Sequence, residues 1–387
     1  MRIYLDHNAT TPPLASVAEA MVRALSDTFG NASSVHAFGQ AAKAVVDDAR
    51  SDVAALIQAD PSEVVFTGGG TEADNLALRG AMEALDATGR RHIVTTAIEH
   101  EAVLNTVKAM ERRGWTATLV SPDHSGIVDP EAIRAALTTH TSIVSVMHAN
   151  NEVGTIQPVA EIAAIARANR AVMHTDAVQS AGKIPVSVKE LGIDLLALSA
   201  HKFGGPKGVG ALWIRRGVRL LSQMTGGKHE RGRRAGTENV PAIAGLGVAA
   251  RAARTTFDLM PGVAALRDHL EREVLSRVPG TIVNGDRTRR VANTTNISFD
   301  GIEAESLLIA LDLEGVAVST GSACSSGSLE PSHVLRAMGL PNARTRNSLR
   351  FSLGRSNRQD EIDFVVGVLP GLVARLRTLS RPALATT

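Results

Sequence analysis

Two stretches decide the fold: Ala171-Val-Met-His-Thr-Asp-Ala-Val-Gln179 and Asp194-Leu-Leu-Ala-Leu-Ser-Ala-His-Lys202. Each begins as a short run rich in apolar residues, too brief for a helix, and ends on side chains that can do chemistry. Such a run suits a strand buried on both faces, as in a parallel sheet. Working outward, comparable strands are expected at Glu63 to Thr67, His92 to Thr96, Thr116 to Ser121, Ser142 to Met147 and Gly210 to Ile214. Helical periodicity fills the intervals at Glu72 to Ala87, Glu101 to Arg113, Pro130 to Leu137 and Val159 to Ala168, and precedes the first strand at Ala15 to Leu25 and His36 to Gln58. Regular alternation of strand and helix predicts an α/β fold with a mainly parallel sheet over residues 15–257. After Asp258 the pattern changes to a long helix (Val263 to Arg277), strands near Thr281 to Asn284 and Thr295 to Phe299, a helix at Ala304 to Leu313, a strand at Ser348 to Leu353 and a last helix from Asp360. This predicts a smaller α+β domain made of residues 1–14 and 258–387. Two units suit 387 residues, more than one hydrophobic core usually organises.

Open α/β sheets bind ligands beyond the carboxyl ends of their strands, so the residues found there carry the functional information. The first strand is followed by Gly68-Gly69-Gly70-Thr71-Glu72 and the second by Glu99-His100. Further on, strands lead into His148-Ala149-Asn150-Asn151-Glu152, Asp176-Ala177-Val178-Gln179 and Ser199-Ala200-His201-Lys202. Taken singly these have ordinary readings: a tight turn, a helix cap, a solvated lysine, a structural histidine. Their convergence on one rim points to chemistry. A glycine turn opening a helix, with the Thr71 hydroxyl, suits a phosphate. Lys202 can form a Schiff base, and Asp176, one strand away, can keep a pyridinium nitrogen protonated. Asn151 and Gln179 can bond a ring oxygen, and His100 can lie over the ring face. Those are the protein's parts in pyridoxal-phosphate chemistry.

Composition narrows the alternatives. The chain is 44% hydrophobic and 21% charged, which predicts folding throughout. Aromatic residues are only 3% and the formal net charge is +2, so base-stacking surfaces are scarce and no polyanionic partner is implied. No apolar run is long enough to span a bilayer, and the opening Met1-Arg-Ile-Tyr-Leu-Asp6 has an acid where a signal peptide needs its apolar core. The single cysteine, Cys324, excludes an internal disulfide and a four-sulfur metal site within one chain. The expectation is a cytoplasmic enzyme without a membrane partner and without direct nucleic-acid binding.

The sequence resembles the pyridoxal-phosphate cysteine desulfurases of the NifS/IscS kind, within the class V aminotransferase group. The resemblance runs along essentially the whole chain, through Tyr4 to Pro12, Gly30 to His36, Phe66 to Asn75, Asn150 to Pro158, His174 to Ser180, Ser199 to Gly210, Glu230 to Asn239, Thr320 to Arg336 and Leu349 to Arg355. It implies the fold type I architecture of such transferases, with helices on both faces of the sheet, and pyridoxal 5'-phosphate as cofactor. It further implies that Lys202 carries the cofactor, Asp176 pairs with its ring nitrogen and His100 stacks on the ring. Asn151 and Gln179 would contact the cofactor, while Gly70, Thr71, Ser199 and His201 bind its phosphate. Thr237 would complete the phosphate site of a neighbouring subunit, making the enzyme a homodimer, and Arg350, with Asn151, would hold the substrate carboxylate. Two departures from the family pattern are Ala32, where proline is more usual, and Gly227-Lys228-His229, where Gly-Gly-Gln is more usual.

Cys324 lies in Ser319-Thr-Gly-Ser-Ala-Cys-Ser-Ser-Gly-Ser-Leu329, where five serines and two glycines leave little apolar surface to bury. The expectation is a mobile loop with an accessible thiol, followed by a helix starting near Glu330 to His333. By the resemblance, Cys324 accepts sulfur from L-cysteine as a persulfide, and alanine is released. The persulfide would pass to an iron–sulfur scaffold or a tRNA-thiolation protein, and Cys324 could ligate a cluster shared with that scaffold. A selenocysteine lyase or an aminotransferase of the same fold is the nearest alternative. Gly68-x-Gly70-x-x-Ala73 also fits a dinucleotide fingerprint, but an NAD-dependent oxidoreductase needs an acid ending the next strand, where Thr95-Thr96 stand. The basic stretch Lys228 to Arg234 leaves a nucleic-acid or sulfur-carrier role as a third possibility, although such runs are usually solvated.

Overall fold

A computed structural model describes residues 2–321 and 331–380. Twelve strands are formed among the described residues: β1 (Ile3–Tyr4), β2 (Val64–Thr67), β3 (His92–Thr96), β4 (Thr116–Val120), β5 (Thr141–Ser145), β6 (Val172–Asp176), β7 (Leu195–Ser199), β8 (Gly210–Ile214), β9 (Thr281–Asn284), β10 (Thr294–Phe299), β11 (Val316–Ala317) and β12 (Ser348–Ser352). Seven of them make the central sheet, in the order β2-β8-β7-β6-β5-β3-β4. Only β8 runs against its neighbours, pairing antiparallel with both β2 and β7. The remaining pairs are parallel. The fold is therefore α/β with a mixed, mainly parallel sheet.

Neighbouring residues in each strand serve opposite faces of this sheet. Ile93, Ile143, Leu195 and Leu212 pack with the helices Gly70–Leu85 and Glu101–Glu111. Val94, Val144, Leu196 and Ala211 pack with helices on the other face, including Ala37–Leu56 and Val240–Arg254. Burial on both sides suits the adjacent apolar pairs at the centres of these strands, such as Ile93-Val94, Ile143-Val144 and Leu195-Leu196. The β5 ladder ends at Ser145, short of the expected Met147, yet Val146 and His148 still donate to the carbonyls of His174 and Asp176.

A second apolar cluster gathers the helices Met260–Arg277, Ala304–Leu313 and Gln359–Ser380 on the antiparallel sheet β12-β10-β9. Its centre holds Phe299 and Phe351, with ring centroids 6.5 Å apart. Ile3 and Leu5 belong to this cluster, because β1 pairs in parallel with β11. The chain start thus packs against its far end before crossing to the large sheet. Asn8 marks the crossing: its backbone N–H donates to Ser352 Oγ and its side chain to Thr294 Oγ1. Among the described residues no helix is long and apolar enough to cross a membrane.

Candidate active site

The carboxyl ends of β2, β3, β5, β6 and β7 open onto one cavity of about 510 Å³. Its lining includes Gly70, Thr71, His100, Asn151, Asp176, Gln179, Ser199, His201, Lys202 and Arg350. Local structure explains how each arrives there. After β2, Gly69 adopts φ 152°, and the helix Gly70–Leu85 begins directly at the rim, two residues earlier than expected. A Cβ on Gly70 would stand 2.9 Å from Val178 Cγ2, so only glycine lets the helix N-terminus come this close to the loop after β6. A Cβ on Gly210 would lie 2.6 Å from the Leu198 carbonyl oxygen and 2.7 Å from the Gly69 carbonyl carbon, so β8 has to begin with a glycine too. His100 caps the next helix, its Nδ1 accepting from Ala102 N at 3.1 Å, which leaves the ring proton on Nε2 when the imidazole is neutral.

Burial and neighbouring charges perturb several titratable groups along this rim. Asp176 is buried and its Oδ1 accepts from Val178 N at 2.8 Å. Burial raises its pKa, against the pull of His100, the Val178 amide and Lys202. Lys202 Nζ donates to the carbonyl oxygens of Asn8 and Ala9 at 2.7 and 2.9 Å. Burial, reinforced by Arg350, lowers the Lys202 pKa to about 8, so the amine is readily freed of its proton. His201 is held neutral, its pKa lowered to about 4 by burial and by Lys202 and Lys207, while its Nδ1 lies 3.1 Å from Thr10 Oγ1. Arg350 is fixed by Asp6 Oδ1 at 2.7 Å and by the Asn151 carbonyl at 2.9 Å, and its Nε is buried without a partner.

Several cavity residues had no assigned role in the sequence reading. Asn8 and Glu152 line the cavity, as does Asp74 from the helix Gly70–Leu85. The Asp74 carboxyl is pushed well above its ordinary pKa, first by burial and then by Asp176 and Glu99. Ser332 donates to Glu152 Oε2, and His333 Nε2 lies 2.9 Å from the Glu99 carbonyl oxygen. The helix His333–Ala337 starts where expected, capped by Ser332. Asn8 and Asp74 fall within the stretches that carried the family resemblance, and that was their only signal.

Two expected participants stand apart. Cys324 lies outside the described residues, within 322–330; Ser319, Gly321 and His333, which flank that segment, line the cavity. Thr237 is exposed and absent from the lining of this chain's cavity. The departures at Lys228 and His229 border a loop tied inward by Glu230, which is buried and accepts two hydrogen bonds from Arg50 and one from Phe66 N. Within the basic stretch, Arg234 pairs with Glu72 and Arg231 donates to the Ser62 carbonyl, so these two cations already have partners within the chain.

Uncommitted groups test the fit of pyridoxal phosphate. Among the described residues, the side chains of Thr71, Ser199 and Asn151 make no hydrogen bond, although all three line the cavity. Two hydroxyls beside a helix N-terminus suit the phosphate, and a buried carboxylate facing a lysine suits the ring nitrogen and the aldehyde carbon. The residues fit the group.

Comparison with known proteins agrees. The family profile described as aminotransferase class-V matches residues 3–365. A protein of Nostoc sp. described as a cysteine desulfurase is 50% identical over 379 residues, covering 98% of this chain and 94% of that protein. A solved structure described as a NifS-like protein superposes with TM-score 0.92 at 35% identity, over 97% of this chain and all of that one. A structure described as SspA in complex with cysteine reaches TM-score 0.80 at 34% identity, covering 91% of this chain and 99% of that one.

Proposed function

Since the chain belongs to the class-V aminotransferase family, we propose its function from that premise: it is a pyridoxal-phosphate-dependent cysteine desulfurase. The carrying observation is the convergence of Lys202, Asp176 and Arg350 on one cavity, a base, a buried carboxylate and a carboxylate receptor within one enclosure. On this reading residues 15–257 form the cofactor-binding domain, and residues 1–14 and 258–387 form the smaller one.

Gly70, Thr71, Ser199 and His201 would hold the phosphate, Asp176 the ring nitrogen and Gln179 the ring oxygen, with His100 over the ring face. When bound, pyridoxal phosphate supplies an electron sink for bonds broken at the substrate's α-carbon. Arg350, oriented by Asp6 and Asn151, binds the carboxylate of L-cysteine and so fixes which substituent faces Lys202. Lys202, with its pKa lowered to about 8, takes the α-proton when its amine is unprotonated. Cys324 as thiolate forms an S–S bond to the substrate sulfur while the C–S bond breaks. The electron pair of that bond stays with the carbon skeleton, which takes up protons and leaves as alanine. His100 Nε2 is the proton donor within reach of the cavity.

The persulfide on Cys324 is then passed to an acceptor protein of iron–sulfur cluster assembly or tRNA thiolation, from a homodimer in the cytoplasm. Purified protein should be yellow and convert L-cysteine to equimolar alanine and persulfide or sulfide. Cys324→Ser should stay yellow and bind cysteine yet transfer no sulfur. Unimpaired sulfur transfer by that variant would overturn the role of Cys324, and a colourless protein that binds no pyridoxal phosphate would overturn the reading itself.

A further inference from the structure

One buried titratable group at the site has no role in the scheme above. Lys183 is only 6% exposed, and its Nζ donates to Gln179 Oε1 at 2.6 Å and to Asn8 Oδ1 at 2.7 Å. No carboxylate pairs with it among the described residues. Burial, with Lys202 and Arg350 nearby, draws its pKa well below that of an ordinary lysine. A buried cation without a counter-charge opposes folding, and an apolar side chain of the same length would avoid that penalty. What the lysine provides is therefore to be sought in its two hydrogen bonds.

A glutamine amide has an acceptor end and a donor end of nearly equal size, so its partners decide which way it faces. Lysine donates in either protonation state, and the 2.6 Å contact therefore fixes the Gln179 oxygen toward Lys183. The nitrogen end is left facing away. One of its N–H groups goes to the Asn8 carbonyl at 3.0 Å. The second has no acceptor among the described residues, and Gln179 lines the main cavity. Asn8 is fixed by the same means. Its Oδ1 accepts from Lys183 and from Asn293 Nδ2, so its Nδ2 must donate, to Thr294 Oγ1 and to the Asn151 carbonyl. The Asn8 carbonyl is also the acceptor that holds Lys202 Nζ at 2.7 Å.

We propose that Lys183 is a positioning residue of the cofactor site: it locks the Gln179 amide with an N–H toward the cavity and fixes Asn8, whose carbonyl orients Lys202. This rests on the pyridoxal-phosphate reading. An N–H aimed at the ring oxygen favours the ionised oxygen, so its loss makes that oxygen more basic and retains the nearby proton to higher pH.

The test is absorbance against pH on the yellow holoenzyme. In Lys183→Met the midpoint of the yellow band should rise by about one pH unit, the effect of one charge-assisted hydrogen bond. Gln179→Leu should give a similar rise, and adding Lys183→Met to it should move the midpoint by less than half as much again. An unmoved midpoint, or fully additive shifts, would overturn the proposal and leave Lys183 a structural residue. Should Lys183→Met not fold, Gln179→Glu keeps the lysine but presents only oxygens to the cavity. It should raise the midpoint likewise, and an unchanged midpoint there overturns the proposal equally. Failure of the wild type to turn yellow with pyridoxal phosphate would instead be a failure of the cofactor reading.

Discussion

The surroundings of Lys202 give it chemistry that an exposed lysine lacks. Its pKa of about 8 means that the amine is protonated below that pH and nucleophilic above it. Colour development on adding pyridoxal phosphate to apoenzyme should therefore accelerate with rising pH and level off above pH 8. A midpoint near that of a free lysine would contradict the assigned burial effect. Lys202→Ala should lose the yellow absorbance and all turnover. On the proposed function Arg350 would act on the substrate instead, through a guanidinium already aligned by Asp6 and the Asn151 carbonyl. Arg350→Ala should keep its colour and raise KM for cysteine about 100-fold, equivalent to about 3 kcal/mol for a charge-assisted pair. Steady-state kinetics on the coloured variant decide it. Glu99 is a structural counterpart. Its Oε1 accepts from Thr96 and Met147 N, while Oε2 is buried without a partner. Burial raises its pKa to about 8, so the folded chain keeps a proton that the unfolded chain releases near the ordinary carboxyl value. Folding takes up this proton in the window between, and stability should fall as pH rises through it, by about 1.4 kcal/mol per unit at most. Glu99→Gln preserves the accepting oxygen and removes the proton. Unfolding midpoints at pH 5 and pH 8 should lie closer together in the variant than in the wild type, and equal spacing would show that Glu99 does not carry the effect.

At the level of elements, the site is a consequence of where strands stop. β3 and β7 were legible from their short apolar centres, Ile93-Val94 and Leu195 to Leu198, and β6 from its start at Val172-Met173. The chemistry lies at the strand end or just beyond it, Asp176 ending β6, Lys202 following Ser199 of β7 and His100 following Thr96 of β3. Lys202, Asp176 and His100 could be located in that way. The β1–β11 pairing could not, because each strand has two residues and no period to read. Asp74 had no signal beyond the family resemblance for a related reason: on a helix, a carboxylate one turn in looks like a solvated position until the rim is assembled over it. Lys183 escaped because its meaning lies in which end of a distant amide it faces. The glycine turn was legible as a turn, but its tolerance is a matter of packing. A methyl on Gly70 would meet Val178 Cγ2 at 2.9 Å and Ser199 Cβ at 3.4 Å, and would push the helix N-terminus away from the cavity. Gly70→Ala should fold, alanine being the better helix former, but bind pyridoxal phosphate about tenfold more weakly, a loss of about 1.4 kcal/mol. Titration of apoenzyme with the cofactor reads this directly, and unaltered affinity would mean that the rim relaxes around the methyl.

At the scale of the whole molecule, two features of the described surface bear on the proposed dimer. Thr237 lies exposed, away from its own chain's cavity, in the loop that Arg234 ties to Glu72 near the start of the helix Gly70–Leu85. Apolar side chains also stand in solvent: Val22 and Leu25 on the helix Ala15–Ser26, and Phe29, Val35 and Phe38 just after it, each with more than half of its surface accessible. Phe29 and Phe38 touch, with ring centroids 5.4 Å apart, so part of this surface is a contiguous aromatic patch. Single exposed apolar residues need no explanation, but a cluster of this kind suits the interface of the proposed dimer. On the proposed homodimer, the partner that would also account for Thr237 is a second copy of the chain. Closed twofold symmetry would make the contact isologous and give two equivalent sites, each completed by a threonine from the other protomer. Sedimentation velocity should therefore show a dimer. Phe29→Glu combined with Phe38→Glu should place like charges in the contact and shift the protein to monomer, with weakened cofactor retention. Thr237→Ala should remain dimeric and lose about one phosphate hydrogen bond, a fall in cofactor affinity of about tenfold. A wild type that sediments as an active monomer would remove the interface and with it the role of Thr237. A dimer unaffected by the paired glutamates would keep the dimer but place its contact elsewhere on the surface.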